Sequence, residues 1–145
     1  MKIRHCAEAS LLLLGALLAV GCASSSTLHF RCEPVINDGL LLTTDVIVVQ
    51  DSEIAAVRET GDQWFYSELR RQLEPRTRTV AVEGGCDSSV QIAPRKGFDT
   101  LAVISDYKAG GSATGNMRFL RKEEWKGKKL QLRVGASTLT IQGGR

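Results

Sequence analysis

From residue 27 onward apolar and polar positions alternate mainly with a period of two, the pattern of strands with one face buried. Thr27 to Cys32 places Leu28, Phe30 and Cys32 on one face and Thr27, His29 and Arg31 on the other. Pro34 ends that strand. Asn37-Asp38-Gly39 predicts a turn, because these residues tolerate positive φ. Leu41 to Gln50 predicts a long strand with Thr43, Asp45, Ile47 and Val49 on one face. Its end, Val46 to Val49, is apolar on both faces, which predicts a central strand covered from both sides.

The period then changes. Asp51 or Ser52 is placed to cap a helix over Glu53–Glu59, and Thr60-Gly61-Asp62 breaks it. A second helix is predicted from about Asp62 to Leu73. Phe65, Leu69 and Leu73 stand at i, i+4 and i+8, with Trp64 widening the stripe. Thr60 and Gln63 have capping-box spacing. Glu68–Arg71 and Arg70–Glu74 stand at pairing distance on the wet face. Trp64 and Phe65 read as core, with a recognition surface over Trp64-Phe65-Tyr66 as the alternative.

After Pro75 the pattern is β only. Short strands are predicted at Thr79–Glu83, around Val90 and Ile92, at Leu101–Tyr107 and at Asn116–Arg121. Trp125-Lys126-Gly127 makes a corner before a closing hairpin, Leu130–Val134 and Thr138–Gln142. Seven or eight short strands with one helical insertion, about residues 53–73, predict a mostly β protein folded as a sandwich.

Ahead of this pattern, Leu11 to Val20 is an almost unbroken apolar run, preceded by Lys2 and Arg4 and closed by Gly21-Cys22. That order is a bacterial export signal. The run is too short to cross a bilayer, which takes about 20 residues. Ala19-Val20-Gly21-Cys22 resembles the Leu-Ala-Gly-Cys form of a lipoprotein signal, with Ala19 where Leu is commoner. The resemblance implies that residues 1–21 are removed and that Cys22 carries lipid. Residues 22–27, with Ala23-Ser24-Ser25-Ser26, then form a flexible linker to one domain over 28–145. Ala23 rather than Asp after the cysteine resembles an outer-membrane address. The alternative is an ordinary secretory signal with a chance cysteine.

Removing residues 1–21 takes Lys2, Arg4 and Glu8 away. The 19 Lys+Arg and 16 Asp+Glu fall to 17 and 15, a net charge of +2. A near-neutral exported chain is not a dedicated nucleic-acid binder. Cys32 and Cys86 are the remaining pair, and an oxidising compartment makes a disulfide their natural state. Closing the 54-residue separation stabilises the fold by roughly 4 kcal/mol on the chain-entropy argument. A zinc site would need four ligands, which the single mature histidine, His29, cannot help complete.

Catalytic patterns are sparse. There is no Gly-x-Ser-x-Gly elbow. Gly110 to Gly115 lacks the Lys-Ser/Thr of a phosphate loop and lies between strands. The acidic residues show no calcium-loop spacing, so no metal or cofactor is expected. Arg118, Arg121, Lys122, Lys126, Lys128 and Lys129 gather as a solvated rim, or as a patch for anionic headgroups or cell-wall polymer. The Pro34–Leu41 loop carries Val35, Ile36, Leu40 and Leu41 around its polar tip, and apolar residues in a turn often mark a contact site. Ile36, Asn37, Asp38, Gly39 and Leu40 are the expected partner-binding residues. Val35 and Leu41 have covering the sandwich end as an alternative role.

In order, the elements resemble those of the TssJ family, the outer-membrane lipoproteins of type VI secretion systems. Asn37-Asp38-Gly39 followed by Val46-Ile47-Val48-Val49 is similar to the family's loop and second strand. Trp64-Phe65 falls at aromatic positions of its inserted helices. Ile92-Ala93-Pro94, Arg95-Lys96-Gly97 and Leu101 to Tyr107 are similar to its strand, corner and next strand, and Leu130 to Ile141 to its closing hairpin. Thr43-Thr44-Asp45 stands where the family has an Arg-rich segment. The resemblance implies a transthyretin-like β-sandwich, lipid-anchored to the outer membrane and facing the periplasm, without catalysis, cofactor, nucleic acid or small-molecule substrate. Its partner would be the periplasmic domain of a large inner-membrane subunit, held in part by the loop at Pro34–Leu41. The alternatives are a periplasmic enzyme or enzyme inhibitor on a sandwich scaffold, or a lipoprotein that holds cell wall through the basic patch.

Overall fold

The computed structural model describes residues 24–108 and 116–143. The export run, Cys22 and the Gly110–Gly115 loop lie outside the described residues. Two four-stranded sheets face each other. One has the order β4-β1-β7-β8 and consists of β1 (Ser26–Cys32), β4 (Asp87–Ile92), β7 (Lys129–Val134) and β8 (Leu139–Gly143). The other has the order β3-β2-β5-β6 and consists of β2 (Leu42–Val49), β3 (Thr77–Val82), β5 (Thr100–Ser105) and β6 (Met117–Leu120). Neighbours are antiparallel except β1 and β7, which run parallel with Phe30 opposite Leu132.

The two-residue period decides which side chains meet. Leu28, Phe30, Leu130, Leu132, Val134 and Leu139 project from the first sheet onto Leu42, Val46, Val48, Leu101 and Val103 of the second. Ile47, Val49, Ala102, Ile104 and Met117 project from the opposite face of the second sheet, and Val57, Trp64 and Leu73 cover them. β2 therefore lies at the centre with both faces packed, as its doubly apolar end requires. The expected disulfide is present between Cys32 and Cys86, across the adjacent strands β1 and β4.

Several boundaries move. β1 begins at Ser26, and Ser26 and Thr27 pair with Ile92 and Gln91, so two residues assigned to the linker are ladder residues. The segment after Pro75 is not wholly β. Lys122–Trp125 forms one helical turn whose Trp125 is fully buried and donates its indole N–H to Asp99 O at 3.0 Å.

The insertion is a chain of short pieces: α1 (Ile54–Thr60), a 3-10 stretch over Gly61–Tyr66, and α2 (Glu68–Leu73), with 3-10 turns at either end. Gly61, at φ 49°, breaks it as expected. The predicted continuous second helix is interrupted at Ser67, which is extended (φ −78°, ψ 149°) and accepts the Arg70 N–H at 3.1 Å. Thr60 does not cap; its hydroxyl donates to Val57 O.

The break at Ser67 follows from one buried group. Asp45 is fully buried on the outer face of β2. Its carboxylate accepts Trp64 Nε1–H at 2.9 Å, Arg70 Nε–H at 2.6 Å and Thr79 Oγ1–H at 2.6 Å. On one unbroken helix, residues 64 and 70 would point about 120° apart. The interruption lets both donors reach the same carboxylate. Arg70 thus turns inward instead of pairing with Glu74 on the wet face. Its guanidinium holds its proton more tightly than usual, chiefly because Asp45 accepts from it. A second clamp joins the ends of the insertion. Arg76 donates to Glu53 at 2.6 and 3.0 Å and lies 4.7 Å over the Phe98 ring.

Removing one partner of a buried ion pair strands the other. Asp45→Ala should therefore lower stability by about 3–5 kcal/mol in urea denaturation. Arg71→Ala, which breaks an exposed pair with Glu68, should cost less than about 1 kcal/mol. Glu53 is held below its ordinary value near 4.5, first by the hydrogen bond from Arg76. A depressed folded-state pKa stabilises above the unfolded value, and that contribution is lost as pH falls through the lower folded value. Acid titration of the melting temperature should show this loss setting in below about pH 4.5, and Glu53→Gln should flatten that part of the profile.

Candidate functional site

The strand directions gather the connecting segments into two opposite ends. Residues 33–41, 83–86, 106–108 and 135–138 share one end, and hydrogen bonds tie them together. Asn37 N–H donates to Ala136 O at 3.0 Å, Gly85 N–H to Glu33 O at 2.7 Å, and Glu33 N–H to Val134 O at 2.9 Å. Gly84 packs against the Pro34 carbonyl so closely that a Cβ would lie 2.1 Å from its oxygen. The other end holds Ser24 and Ser25 with residues 93–99 and 121–128. There Ser26 Oγ donates to Trp125 O at 2.7 Å, and Thr27 N–H to Lys128 O at 2.9 Å.

The expected docking loop is the most elaborate segment of the first end. Asn37, Asp38 and Gly39 all adopt positive φ, at 47°, 56° and 79°, so the polar tip is the left-handed turn that its composition predicts. Asn37 Nδ2–H donates to Leu41 O at 2.9 Å, and its Oδ1 accepts Lys108 N–H at 2.8 Å. Tyr107 supports the same end from within. Its hydroxyl lies 2.9 Å from Thr138 O and 3.2 Å from Gly135 O, and burial pushes its phenol well above the usual range.

This geometry corrects the roles expected within the loop. Ile36 and Asn37 are both fully buried. Ile36 belongs to the core between the sheets, and Asn37 spends its side-chain amide joining its own loop to residue 108 while its backbone N–H holds Ala136. Neither offers a side chain to a partner. The apolar groups on the surface are Val35, Leu40 and Leu41, at 63, 52 and 62% exposure, beside Asp38 and Gly39. Val35 and Leu41 do not cover the sandwich end; they project from it. The strand period contained part of this, since Leu42 faces inward and its neighbour Leu41 must then face out. The inward turn of Ile36 has no local signal.

The exposed acidic groups Glu33, Asp38 and Glu83 and the exposed Lys108 share this end with the three apolar side chains. Apolar side chains on a hydrogen-bonded support with a polar margin have the composition of protein contact surfaces. The basic residues sort differently. Arg121, Lys122, Lys126, Lys128 and Lys129 lie at the opposite end, whereas Arg118 is on β6 with its guanidinium bonded to Met117 O.

No protein-family model matches the sequence, and no curated protein matches it. Solved structures match by fold. The T6SS lipoprotein TssJ1 from Pseudomonas aeruginosa superposes with a TM-score of 0.65 at 10% identity, over 85% of this chain and 98% of that one. Serratia marcescens Lip, a membrane-bound component of the type VI secretion system, gives 0.65 at 12% identity, over 84% and 99%. A chain from the structure of the T6SS protein TssM C-terminal domain from EAEC gives 0.68 at 14% identity, over 83% and 98%. The chain therefore has the two-sheet fold, with its helical insertion, of the type VI secretion lipoproteins.

Proposed function

We propose that the protein is a divergent TssJ-type subunit of a type VI secretion apparatus. On this reading it is a lipoprotein held in the outer membrane through Cys22, and its periplasmic domain grips the periplasmic domain of the large inner-membrane subunit. One observation carries the reading. The end from which Ser24 leaves the sandwich and the end bearing Val35, Leu40 and Leu41 are opposite. A β-strand of six to eight residues separates them, roughly 20–26 Å. A tether at one pole and an apolar contact crown at the other suit a subunit that bridges two membranes. The fold shared with type VI secretion lipoproteins, and with a chain from the TssM C-terminal domain structure, supports the same assignment.

Leu40 and Leu41 are the contacts to remove, because Ile36 belongs to the core. Leu40→Ser with Leu41→Ser should weaken capture of the inner-membrane subunit's periplasmic domain at least tenfold, a loss of ~1.4 kcal/mol. The melting temperature should stay close to that of the parent. Undiminished capture by a well-folded variant would remove the loop from the interface. Cys22→Ser should release the protein from the membrane fraction or leave it unprocessed, since stable anchoring takes more than one acyl chain. Membrane fractionation reads the outcome, and a variant that still sediments with the outer membrane would defeat the anchor.

A further inference from the structure

The pole opposite the docking loop has its own chemistry. Where β3 and β4 diverge, the two sheets leave a groove of about 490 Å³ with Val46, Val48 and Ile92 in its floor and Arg78 and Arg95 at its margin. Ser25 also lines it. On the other side of the exit, Ser24 rests against Gly127 so closely that a Cβ there would lie 2.7 Å from its Oγ, which sets it between Lys126 and Lys128. The chain thus leaves the sandwich between two groups of cations. Arg76 and Lys122 at this pole are matched by Glu53 and Asp99. Arg78, Arg95, Lys96, Lys126, Lys128 and Lys129 have no carboxylate partner among the described residues. Exposed carboxylates on the same pole, Asp51, Glu74, Glu123 and Glu124, are fewer.

We propose that this pole is a docking face for anionic phospholipid, with phosphate groups between Arg78 and Arg95 and the glycerol and first methylenes of the lipid over Val46, Val48 and Ile92. The proposal rests on the lipid anchor. Cys22 stands three positions before Ser25, a reach of about 11 Å at full extension. An acylated Cys22 therefore holds the arginines near the headgroup layer, where basic residues act over about a Debye length. Arginine suits the task because its planar fork binds phosphate oxygens in pairs. An apolar floor beneath the cations fits a lipid better than a sugar polymer. The face would fix the tilt of the sandwich, and so the direction in which Val35, Leu40 and Leu41 point.

The test uses the mature chain, residues 22–145, without acylation, mixed with sedimentable vesicles. It should partition into vesicles containing phosphatidylglycerol and not into pure phosphatidylcholine, and high salt should release it. Arg78→Glu with Arg95→Glu should reduce the partition at least tenfold at unchanged melting temperature. Lys108→Glu with Arg133→Glu carries the same charge change on the opposite end and should leave binding within twofold of the parent. An equal loss in both pairs would mean that net charge, not this face, attracts the protein, and would overturn the proposal. So would equal partition into neutral vesicles, or retention by purified cell-wall sacculi without vesicle binding. The anchor is read separately, by the mass of the protein extracted from membranes. Absence of acyl groups there would remove the anchor while leaving the vesicle result standing, and the converse holds equally.

Discussion

The Asp45 carboxylate governs the outer half of this molecule. A charged group removed from water is tolerated only when its charge and lone pairs are matched. Asp45 sits in the middle of a strand whose neighbours on that face, Ile47 and Val49, are apolar and buried. Its partners must therefore come from elsewhere in the chain. Thr79 supplies one from the adjacent strand, and Trp64 and Arg70 supply two from the insertion. The insertion is accordingly broken where a regular helix would have aimed those two side chains apart. Covering Asp45 also covers Ile47, Ile104 and Met117, so one polar constraint and one apolar layer are met by the same segment.

The Glu53–Arg76 pair complements this arrangement from the ends of the insertion. Glu53 follows β2 directly and Arg76 precedes β3, so their bond closes the excursion over the sheet between two neighbouring strands. Phe98, stacked by Arg76 and Arg95, extends the clamp to the segment before β5. The insertion is thus held at its centre by a buried carboxylate and at its base by a partly exposed ion pair.

The two poles differ in kind because the fold separates them. At one, Asn37, Tyr107 and Gly84 lock neighbouring segments together beneath three exposed apolar side chains. At the other, Trp125 and Ser26 close the sandwich beneath a set of cations. A rigid body with unlike ends is what the proposed function, a spacer between a membrane and a partner, requires. The disulfide between Cys32 and Cys86 lies at the apolar end, next to the loop that carries Val35, and stiffens its base.

Local pattern alone determined the strands, the position of β2 at the centre of its sheet, the left-handed turn at Asn37-Asp38-Gly39 and the pairing of two cysteines. Each depends on side-chain periodicity, backbone preference or a count, which are properties of a short stretch of chain. The polar residue on an otherwise apolar face, Asp45, was visible in the same way, but its partners were not. Arg70 has an acid four residues away, Glu74, just past the end of its helix, and only the packing of the insertion against β2 turned it toward Asp45 instead. The candidate contact surface divides along the same line. That the Pro34–Leu41 loop holds apolar residues is written in the chain. That Ile36 and Asn37 face inward while Val35, Leu40 and Leu41 face out was decided by the tertiary structure, through the hydrogen bonds that Asn37 accepts from Lys108 and donates to Ala136, because a loop has no period of its own to orient its side chains.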